Sequence, residues 1–457
     1  MFSTVISAII TIVVVTVVLV ALLLYVKIKL TPDGTVKIDI NDGKKVLDVP
    51  QGSDLLHTLA DQKIFLPSAC GGKANCGQCK VQVLEGGGTI LPTETGFFSR
   101  KQIKDGYRLG CQVKVKENIK IQVPESTLSV QKLECEVISN KNVATFIKEF
   151  TVKLPEGVHL DFKSGEYIQI DIPAYDLDFS TIDVDDIYKA DWEKYGFFGI
   201  KTKNEVPTIR AYSMASYPAE GDIIKLNVRI ATPPFDRSQP KGVFKMLPVP
   251  PGVGSSYVFT RKPGDKVWIS GPFGEFLLPK NDPDSQEYIF VGGGAGMAPL
   301  RSHIMHLFKT LKTKREVHFF YGARSLVEAF YLEDYAEIEK EFPNFHFHLA
   351  LDRPDPAADA AGVKYTAGFV HNVMYETYLK DHDTPEDIKY FMCGPPMMVA
   401  SVNKLPDTNG KKVDMTLVWN SFSGKKSVTF KYCSRKGTEK IEGLSFAASG
   451  QFERAIK

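Results

Sequence analysis

The sequence predicts a multidomain protein in which an N-terminal transmembrane helix precedes three folded domains: a small α+β domain, an antiparallel β-barrel and a parallel α/β domain. Three observations support this fold class. The first 26 residues carry no charged side chain. Short β-like runs separated by Gly and Pro extend over residues 131–272, and from residue 287 onward apolar strands alternate with helical segments. A chain of 457 residues is long enough for about three such domains.

The uncharged N-terminus predicts a single membrane span within residues 1–28. Residues 6–24 are almost wholly Val, Ile, Leu, Ala and Thr, and about 20 apolar residues suffice to cross the hydrocarbon core. A cleaved signal peptide would need a basic start, a shorter apolar core and a small-residue cleavage site, which this segment lacks. Because Lys27 and Lys29 follow the span, the remaining domains are expected to face the cytoplasm.

Composition restricts the function classes. The net charge of +2, from 56 basic and 54 acidic side chains, gives no electrostatic basis for binding nucleic acid. In a reducing compartment, the seven cysteines favour metal or redox ligation over disulfides. Cys135 and Cys433 are isolated and are interpreted as structural thiols. Residues 171–193 carry eight acidic side chains and one lysine, a pattern that favours a solvated surface loop over a docking site for a partner.

The first folded domain is expected to begin with a β-hairpin and a helix. Alternating residues 35–40 and 45–49 flank the turn sequence N-D-G, which suits positive φ. Ser53 is expected to cap a helix over residues 54–62, where leucines recur at helical spacing. A Cys-rich loop follows this helix.

Four cysteines form the most specific motif. Cys70, Cys76 and Cys79 lie in the loop CGGKANCGQC, and Cys111 follows further along the chain. The loop glycines allow the backbone to wrap tightly, so that N–H groups can point at bridging sulfides. The spacing differs by one residue from the plant-type [2Fe–2S] pattern. Zinc ribbons and fingers usually pair two C-x2-C knuckles, or a Cys pair with a His pair, and only one such knuckle occurs here. The sequence therefore favours a [2Fe–2S] cluster, with structural zinc as the competing site.

The sequence R-A-Y-S ends a β-like run in the predicted barrel and has the chemistry to hold a flavin nucleotide. Arg210 can form bidentate hydrogen bonds to a phosphate, Tyr212 can stack on the isoalloxazine ring, and Ser213 can hydrogen-bond near the reactive N5 of the flavin. An Arg and a Tyr at alternate strand positions are also common in surface packing. A downstream segment, GVGSS, could open a helix whose N–H groups hold a pyrophosphate. Its candidate contacts are Gly254, Ser255 and Ser256.

A glycine-rich turn between an apolar strand and a helix, YIFVGGGAGMAPLRS, predicts a dinucleotide site. It does not match the usual G-x-G-x-x-G pattern. The sequences YGARS and CGPP support it, because each follows an apolar strand and doubly wound sheets bind ligands at carboxyl strand ends. The candidate residues are Gly292, Gly293, Gly294, Ala295, Gly296, Arg324, Cys393 and Gly394.

With the Cys-rich loop, RAYS, GGGAGMAP and CGPP in this order, the chain resembles the ferredoxin–NADP reductase superfamily fused to a ferredoxin domain. With the N-terminal anchor, residues 1–400 resemble the family of F subunits of the sodium-translocating NADH:quinone oxidoreductase, which shares the C-x5-C-x2-C spacing, GPFGEF and YGARS. The resemblance implies a β-grasp ferredoxin-like domain, an FAD-binding barrel and a Rossmann-like NADH domain. The implied boundaries are 1–28 for the anchor, 33–127 for the cluster domain, 130–279 for the FAD domain, 285–424 for the NADH domain and 425–457 for an extension of unknown role.

The activity implied by the resemblance is oxidation of NADH by hydride transfer to FAD. Electrons would then pass singly to the cluster and on to partner membrane subunits that reduce ubiquinone and move sodium ions. The chain would sit in the bacterial inner membrane by a single span, with its soluble domains facing the cytoplasm. Ser213 and Cys393 would orient the reacting rings. An aromatic residue near the family's C-terminus covers the flavin, and Phe422 lies at about the right distance, although Pro406 interrupts the helix expected before it.

Two other functions use parts of the same pattern. A membrane-anchored NADH-dependent reductase component of an oxygenase would carry the same three modules. A zinc-bearing adaptor with a degenerate nucleotide domain would be colourless when purified. The absorption spectrum separates the adaptor from the two enzymes.

Overall fold

The structure is a computed structural model that describes residues 2–30, 34–68, 70–128, 130–240, 242–403, 405 and 416–419. The chain divides into two compact units. The first comprises Met1–Leu66 and Cys79–Leu128, and the second comprises Pro67–Gln78 and Ser129–Lys457. The loop that carries Cys70 and Cys76 therefore groups with the second unit, whereas Cys79 and Cys111 belong to the first.

The uncharged N-terminus forms a helix, α1 (Phe2–Leu30). Neither Gly nor Pro occurs within it, and the helix ends before Pro32, as expected from the missing N–H of proline. Described side chains from residue 9 to 22 are exposed and mostly apolar; Ile12 is 66% exposed. Among the residues that the structure describes, no helix meets both the length and the hydropathy needed to cross a membrane.

The rest of the first unit is a mixed five-stranded sheet in the order β2-β1-β5-β3-β4. Its strands are β1 (Thr35–Ile40), β2 (Lys45–Pro50), β3 (Lys80–Glu85), β4 (Tyr107–Leu109) and β5 (Ile119–Gln122). Its short helices are α2 (Leu55–Asp61), α3 (Pro92–Thr95), α4 (Arg100–Lys104) and α5 (Glu125–Leu128). Strands β1 and β5 are parallel and the other pairs are antiparallel, which is the β-grasp arrangement predicted through the family resemblance.

The predicted hairpin is confirmed, and its turn residues Asn41 and Asp42 both have φ of 55°. The predicted cap of the following helix is wrong by one residue. Asp54, not Ser53, is the N-cap of α2, and its carboxylate accepts the N–H of His57 at 3.1 Å. A carboxylate also has a favourable interaction with the helix dipole, which a hydroxyl lacks.

The first part of the second unit is an antiparallel six-stranded barrel in the order β11-β8-β13-β6-β7-β12. The strands of this region are β6 (Gln131–Ala144), β7 (Ile147–Lys153), β8 (Tyr167–Ile172), β9 (Tyr175–Asp178), β10 (Lys201–Asn204), β11 (Thr208–Ser213), β12 (Ile223–Arg229) and β13 (Lys266–Phe273). Two helices accompany them, α6 (Asp186–Lys194) and α7 (Val253–Phe259). A bridge between Met214 and Leu226 joins the two edge strands, so the predicted barrel is confirmed.

The acidic segment 171–193 is not the solvated loop that its composition predicts. It contains β9 and most of α6, and Phe179, Tyr188 and Trp192 from it are buried in the barrel core. The indole Nε1 of Trp192 donates to the carbonyl of Thr145 at 2.7 Å. Acidic and apolar residues are interleaved along the segment, so the aromatic side chains pack inward while most of the carboxylates stay outside.

The second part of this unit is a parallel sheet in the order β17-β16-β15-β14-β18-β19. Its strands are β14 (Tyr288–Gly293), β15 (Val317–Ala323), β16 (Phe345–Leu351), β17 (Thr366–Ala367), β18 (Lys389–Cys393) and β19 (Thr416–Trp419). Its helices are α8 (Met297–Met305), α9 (Leu332–Glu341), α10 (Pro356–Ala360), α11 (Val370–Thr377) and α12 (Pro396–Val402). The strand order reverses between β14 and β18, and such a switch point is where doubly wound sheets bind ligands. The predicted α/β pattern is confirmed.

Arg301 attaches α8 to the barrel. Its guanidinium is buried and donates to Glu220 at 3.0 Å, to the carbonyl of Ala215 at 2.9 Å and to Asp334 at 3.1 Å. Several charge-assisted bonds offset the cost of burying this cation. The helix that follows the glycine-rich turn is thereby fixed in position.

Candidate cofactor site

The predicted flavin motif lies on β11, which pairs with β8 so that Arg210 is opposite Ile170 and Tyr212 is opposite Ile168. The start of α7 packs directly on this strand. A Cβ on Gly254 would lie 2.5 Å from Tyr212 Oη and 2.8 Å from Arg210 Cγ. Gly254 is therefore required by the close approach of helix and strand, and the predicted helix start is confirmed at Val253.

The first turn of α7 is shaped by hydroxyl groups. Ser255 Oγ donates to the carbonyl of Gly252 at 3.1 Å and accepts the N–H of Ala231 at 3.1 Å, and Ser256 Oγ donates to the same Gly252 carbonyl at 2.8 Å. The N-cap residue is Gly252 itself, which has no side chain to occupy the N–H groups of this turn. Such N–H groups suit an anionic group.

Arg210 and Ser213 occupy different environments on β11. Arg210 Nη1 donates to Thr208 Oγ1 at 2.8 Å and to the carbonyl of Ile209 at 2.7 Å. These two bonds hold the guanidinium along the strand, and the guanidinium has further N–H groups for a phosphate. Ser213 is buried at the end of the strand.

The cysteine loop, residues 67–78, contacts the same two strands. Tyr167 Oη on β8 donates to Gln78 Oε1 at 3.0 Å. A Cβ on Gly71 would lie 2.7 Å from Thr208 Oγ1 on β11, so the loop backbone lies directly against the strand that carries Arg210. Gly71 also has φ of 64°, in the left-handed region that favours glycine.

Cys70 and Cys76 are brought together within this loop. A hydrogen bond between the two sulfur atoms lowers the pKa of Cys70 and raises that of Cys76, and backbone N–H groups of Lys73, Asn75 and Cys76 also stabilise the Cys70 thiolate. Backbone N–H groups directed at sulfur are the feature expected of an iron–sulfur loop, so these residues fit a [2Fe–2S] cluster.

Cys79 and Cys111 lie in the first unit, and both are buried. The N–H of Gly110 donates to the carbonyl of Cys79 at 2.7 Å, so the two segments that carry these cysteines are joined by their backbones. A Cβ on Gly110 would lie 2.9 Å from Leu66, which explains the glycine beside Cys111. Gln112 Nε2 lies 3.8 Å from Cys111 Sγ and can donate to a thiolate there.

The predicted nucleotide motif forms the turn between β14 and α8. Residues 294–296 form a 3-10 turn, and Gly294 has φ of 56°. A Cβ on Gly296 would lie 2.0 Å from the carbonyl oxygen of Cys393, and one on Gly293 would lie 3.2 Å from Met398 Sδ. The glycines allow this turn to lie against the end of β18, where Gly292 is in register with Cys393.

The other two nucleotide candidates lie at the same edge of the sheet. Tyr321 Oη donates to the carbonyl of Gly294 at 3.3 Å, which ties the sequence YGARS to the glycine turn. Arg324 follows β15 and is exposed. Cys393 is fully buried, and burial raises the pKa of its thiol to about 12. The thiol therefore stays protonated at neutral pH and is a poor nucleophile.

Some site residues have no clear sequence signal. Tyr175, in the acidic segment, donates through Oη to the carbonyl of Val253 at 2.8 Å and so helps to fix the start of α7. No local pattern predicts that contact. Thr208 could have been found, because it lies two positions before Arg210 and therefore on the same face of β11. Phe422 lies outside the described residues.

Comparison with family models gives two matches. Residues 38–116 match the 2Fe-2S iron-sulfur cluster binding domain, and residues 290–404 match the oxidoreductase NAD-binding domain. The first covers all four predicted cluster cysteines, and the second covers the glycine turn and Cys393. The presence of a 2Fe-2S domain and of an NAD-binding domain is thus confirmed.

Curated relatives match most of the chain. The F subunit of the Na(+)-translocating NADH-quinone reductase of Methylococcus capsulatus is 53% identical over 376 residues, which cover 82% of this chain and 89% of that protein. The corresponding F subunit of a Marinomonas species is 48% identical over 404 residues, covering 88% of this chain and 95% of that protein.

Two solved structures share the fold. The Amycolatopsis cytochrome P450 reductase GcoB has a TM-score of 0.54 and 21% identity, covering 86% of this chain and 100% of that one. A ferredoxin reductase in carbazole 1,9a-dioxygenase has a TM-score of 0.51 and 19% identity, covering 85% of this chain and 98% of that one. At these identities the likeness concerns the fold alone.

Proposed function

Because the chain belongs to the family of F subunits of the Na(+)-translocating NADH-quinone reductase, we propose that it is the component through which electrons from NADH are taken up for that complex. Its NAD-binding domain and its 2Fe-2S domain are the two ends of the electron path. The barrel that lies between them in sequence supplies the FAD site. Quinone reduction and sodium transport belong to the partner subunits.

FAD is assigned to β11 and the first turn of α7. Arg210 binds phosphate, Tyr212 stacks on the isoalloxazine and Ser213 bonds near the reactive nitrogen. The absence of a side chain on Gly254 supports this, since it lets the first turn of α7 lie directly against Arg210 and Tyr212, and the N–H groups of a first helical turn suit a pyrophosphate. Ser255 holds this turn in place, because its Oγ accepts the N–H of Ala231.

NADH is assigned to the edge of the sheet between β14 and β18. The glycine turn lets a pyrophosphate approach the backbone at the start of α8, and Arg324 is exposed close by for a phosphate or ribose contact. Cys393 and Ser213 orient the reacting rings. The turn residues assigned to NADH are Gly292, Gly293, Gly294, Ala295, Gly296 and Gly394.

The observation that carries the electron path is the contact between the cysteine loop and the barrel. Gly71 and Gln78 of the loop touch β11 and β8, the strands that form the proposed flavin site. When bound, FAD accepts a hydride from NADH and releases the two electrons singly, which joins two-electron nucleotide chemistry to a one-electron cluster. Cys70, Cys76, Cys79 and Cys111 are the proposed ligands of that cluster.

The membrane anchor is also a proposal. Residues 1–26 lack charge, and two lysines follow directly. The chain would thus be held by one span in the bacterial inner membrane, with its cofactor domains on the cytoplasmic side and ubiquinone reached only through its partners. When the chain is produced without its partner subunits, deleting residues 1–28 should release it into the soluble fraction with its spectrum intact; retention in the membrane fraction would contradict the anchor.

Cys111→Ser should separate the two halves of the electron path. The flavin of this variant should still be bleached by NADH, but the paramagnetic resonance signal of the reduced cluster should be lost because one thiolate ligand is missing. Cys135→Ala is the matched control, since Cys135 is a buried thiol of the barrel core. If the cluster signal survives in Cys111→Ser, the ligand assignment is wrong. A colourless wild-type protein would instead support the zinc adaptor.

Arg210→Ala should lower the bound flavin by more than half while leaving cluster absorbance unchanged. The guanidinium is the only charged group of the R-A-Y-S motif, and a charge-assisted bond to phosphate is worth roughly 1.5–3 kcal/mol. Flavin released by heat denaturation is quantified per mole of iron. Arg237→Ala, in the exposed segment after β12, is a suitable control. Full flavin occupancy in Arg210→Ala would rule out this phosphate contact.

The electron acceptor distinguishes the alternative function, a reductase component of an oxygenase, from the quinone reductase. Two relatives near 50% identity favour the quinone reductase, whereas both fold relatives are below 25%. Extraction in mild detergent should co-purify membrane subunits that support sodium-stimulated NADH:ubiquinone activity. Purification with an oxygenase component and no quinone activity would favour the alternative.

A further inference from the structure

Three of the chain's nine histidines lie on the neighbouring strands β15 and β16: His318 and His346 close to where these strands begin, and His348 at the middle of β16. His318 is in register with His346 across the two parallel strands. Because strand side chains alternate, Glu316 and His318 share one face, as do His346 and His348. We refer to these four residues as the histidine–glutamate cluster.

The donor atoms of three cluster members converge. One ligand atom each from Glu316, His318 and His346 lies within 4.8 Å of the other two. His346 Nε2 is 2.6 Å from Glu316 Oε1, and His318 Nε2 is 3.5 Å from the same oxygen. Two imidazole nitrogens therefore face a single carboxylate.

The second ring nitrogen of His318 is also held. Its Nδ1 lies 3.1 Å from His348 Nε2, and the ring of Tyr378 packs on it with a centroid distance of 3.8 Å. Histidines that bind metals usually have the other ring nitrogen hydrogen-bonded, which fixes the orientation of the ring. His318 thus has the support that a metal ligand needs, and Nε2 is the nitrogen left facing Glu316 and His346.

A purely structural explanation accounts for only part of this arrangement. Ring stacking explains His348, which lies against Phe320 at a centroid distance of 4.3 Å. It does not explain why two imidazole nitrogens face one carboxylate at the amino ends of β15 and β16. An ion pair with Glu316 would need only one of these histidines.

We propose that Glu316, His318 and His346 form a binding site for a divalent transition-metal ion, with Zn²⁺ as the best match. Two histidines and one glutamate with an open fourth position is an established zinc ligand set. Zinc bonds of about 2.0–2.1 Å place tetrahedral donors roughly 3.4 Å apart, so small side-chain movements suffice. The side chains of Glu316 and His346 are 43% and 40% exposed, which gives the ion access and leaves room for a water ligand.

The site is distinct from the proposed nucleotide site. The cluster lies at the amino ends of β15 and β16, whereas Gly296 and Cys393 lie beyond or at the carboxyl ends of β14 and β18. A bound ion would join β15 to β16 and would stabilise the α/β domain without competing with NADH. This inference does not depend on the proposed function.

The test is calorimetric titration of the full-length, cluster- and flavin-loaded protein with ZnCl₂, with metal content measured after desalting. We expect one zinc per chain beyond the iron, unchanged iron content and a higher melting temperature, because an ion that binds the folded state stabilises it. His346→Gln and Glu316→Gln change partly exposed side chains. Each should weaken zinc binding by at least about tenfold, because replacing a residue that only supports a metal ligand already lowers metal affinity by about 10- to 100-fold.

His159→Gln is the matched control. His159 is exposed and lies 3.0 Å from Asp222, so it forms a histidine–carboxylate pair. Among the described residues, no third possible metal ligand converges on this pair. Its replacement should leave zinc binding unchanged. Equal zinc affinity of the wild type and both cluster variants would overturn the proposal, as would the absence of a saturable zinc site in the wild type.

Discussion

Gly296→Ala should lower the rate at which NADH bleaches the flavin by about 100-fold, the scale on which a displacement of about 1 Å affects catalysis. The new Cβ would lie 2.0 Å from the carbonyl oxygen of Cys393, 2.4 Å from its carbonyl carbon and 2.7 Å from the nitrogen of Gly394. All three are backbone atoms. No change of side-chain rotamer can therefore relieve the clash.

The surrounding sheet prevents the two segments from moving apart cheaply. Strands β14 and β18 are paired up to Gly292 and Cys393, and α8 is fixed by the buried bonds of Arg301. Separation of the turn from Cys393 must break part of this pairing or displace the helix. The pyrophosphate-binding backbone and the nicotinamide contact would both be displaced.

Stopped-flow absorbance at the flavin band, at several NADH concentrations, measures the effect, with flavin and iron contents determined first. Gly199→Ala is the control, because a Cβ there has no atom within 4 Å. Gly296→Ala should retain its cluster and flavin, which are assigned to other parts of the chain. A bleaching rate within twofold of the control would mean that this turn does not position NADH.

The sequence was most informative where function imposes local geometry. The strands β14 and β18 follow from short apolar runs, and the glycines after β14 indicate a turn that no side chain can enter. The hairpin at Asn41 likewise depends on turn residues that tolerate positive φ. These features require only neighbouring residues, so periodicity and turn chemistry predict them.

Features that depend on tertiary contacts were missed. The burial of Trp192 results from packing against the barrel core, which the acidic composition of its segment conceals. The contact of Tyr175 with Val253 joins residues 78 positions apart. The reason for Gly254 also becomes apparent only when α7 is placed against Tyr212. Sequence distance, rather than chemistry, sets the limit of prediction here.

The second large effect is expected at a buried ion pair in the first unit, which the sequence does not indicate. Glu94 is fully buried, and its carboxylate accepts bonds from Arg108 Nε at 3.0 Å and Arg108 Nη2 at 2.8 Å. It also accepts the N–H of Leu109 at 2.8 Å and that of Leu91 at 2.9 Å. Arg108 in turn donates to the carbonyl of Gly87 at 3.0 Å. One carboxylate thus joins α3 and the preceding loop to β4, immediately before Cys111.

Glu94→Ala should lower the free energy of unfolding of the first unit by about 3–5 kcal/mol, because it leaves the buried Arg108 cation without its partner. Since domains are typically stable by only about 5–15 kcal/mol, the variant should also lose much of its cluster. Urea unfolding followed by visible circular dichroism of the cluster measures both. Glu125→Ala is the matched control, because Glu125 pairs with Lys44 at the surface, where solvent screens the charges, and it should unfold like the wild type. Were the two variants equally stable, the buried pair would not be what holds the segment before Cys111.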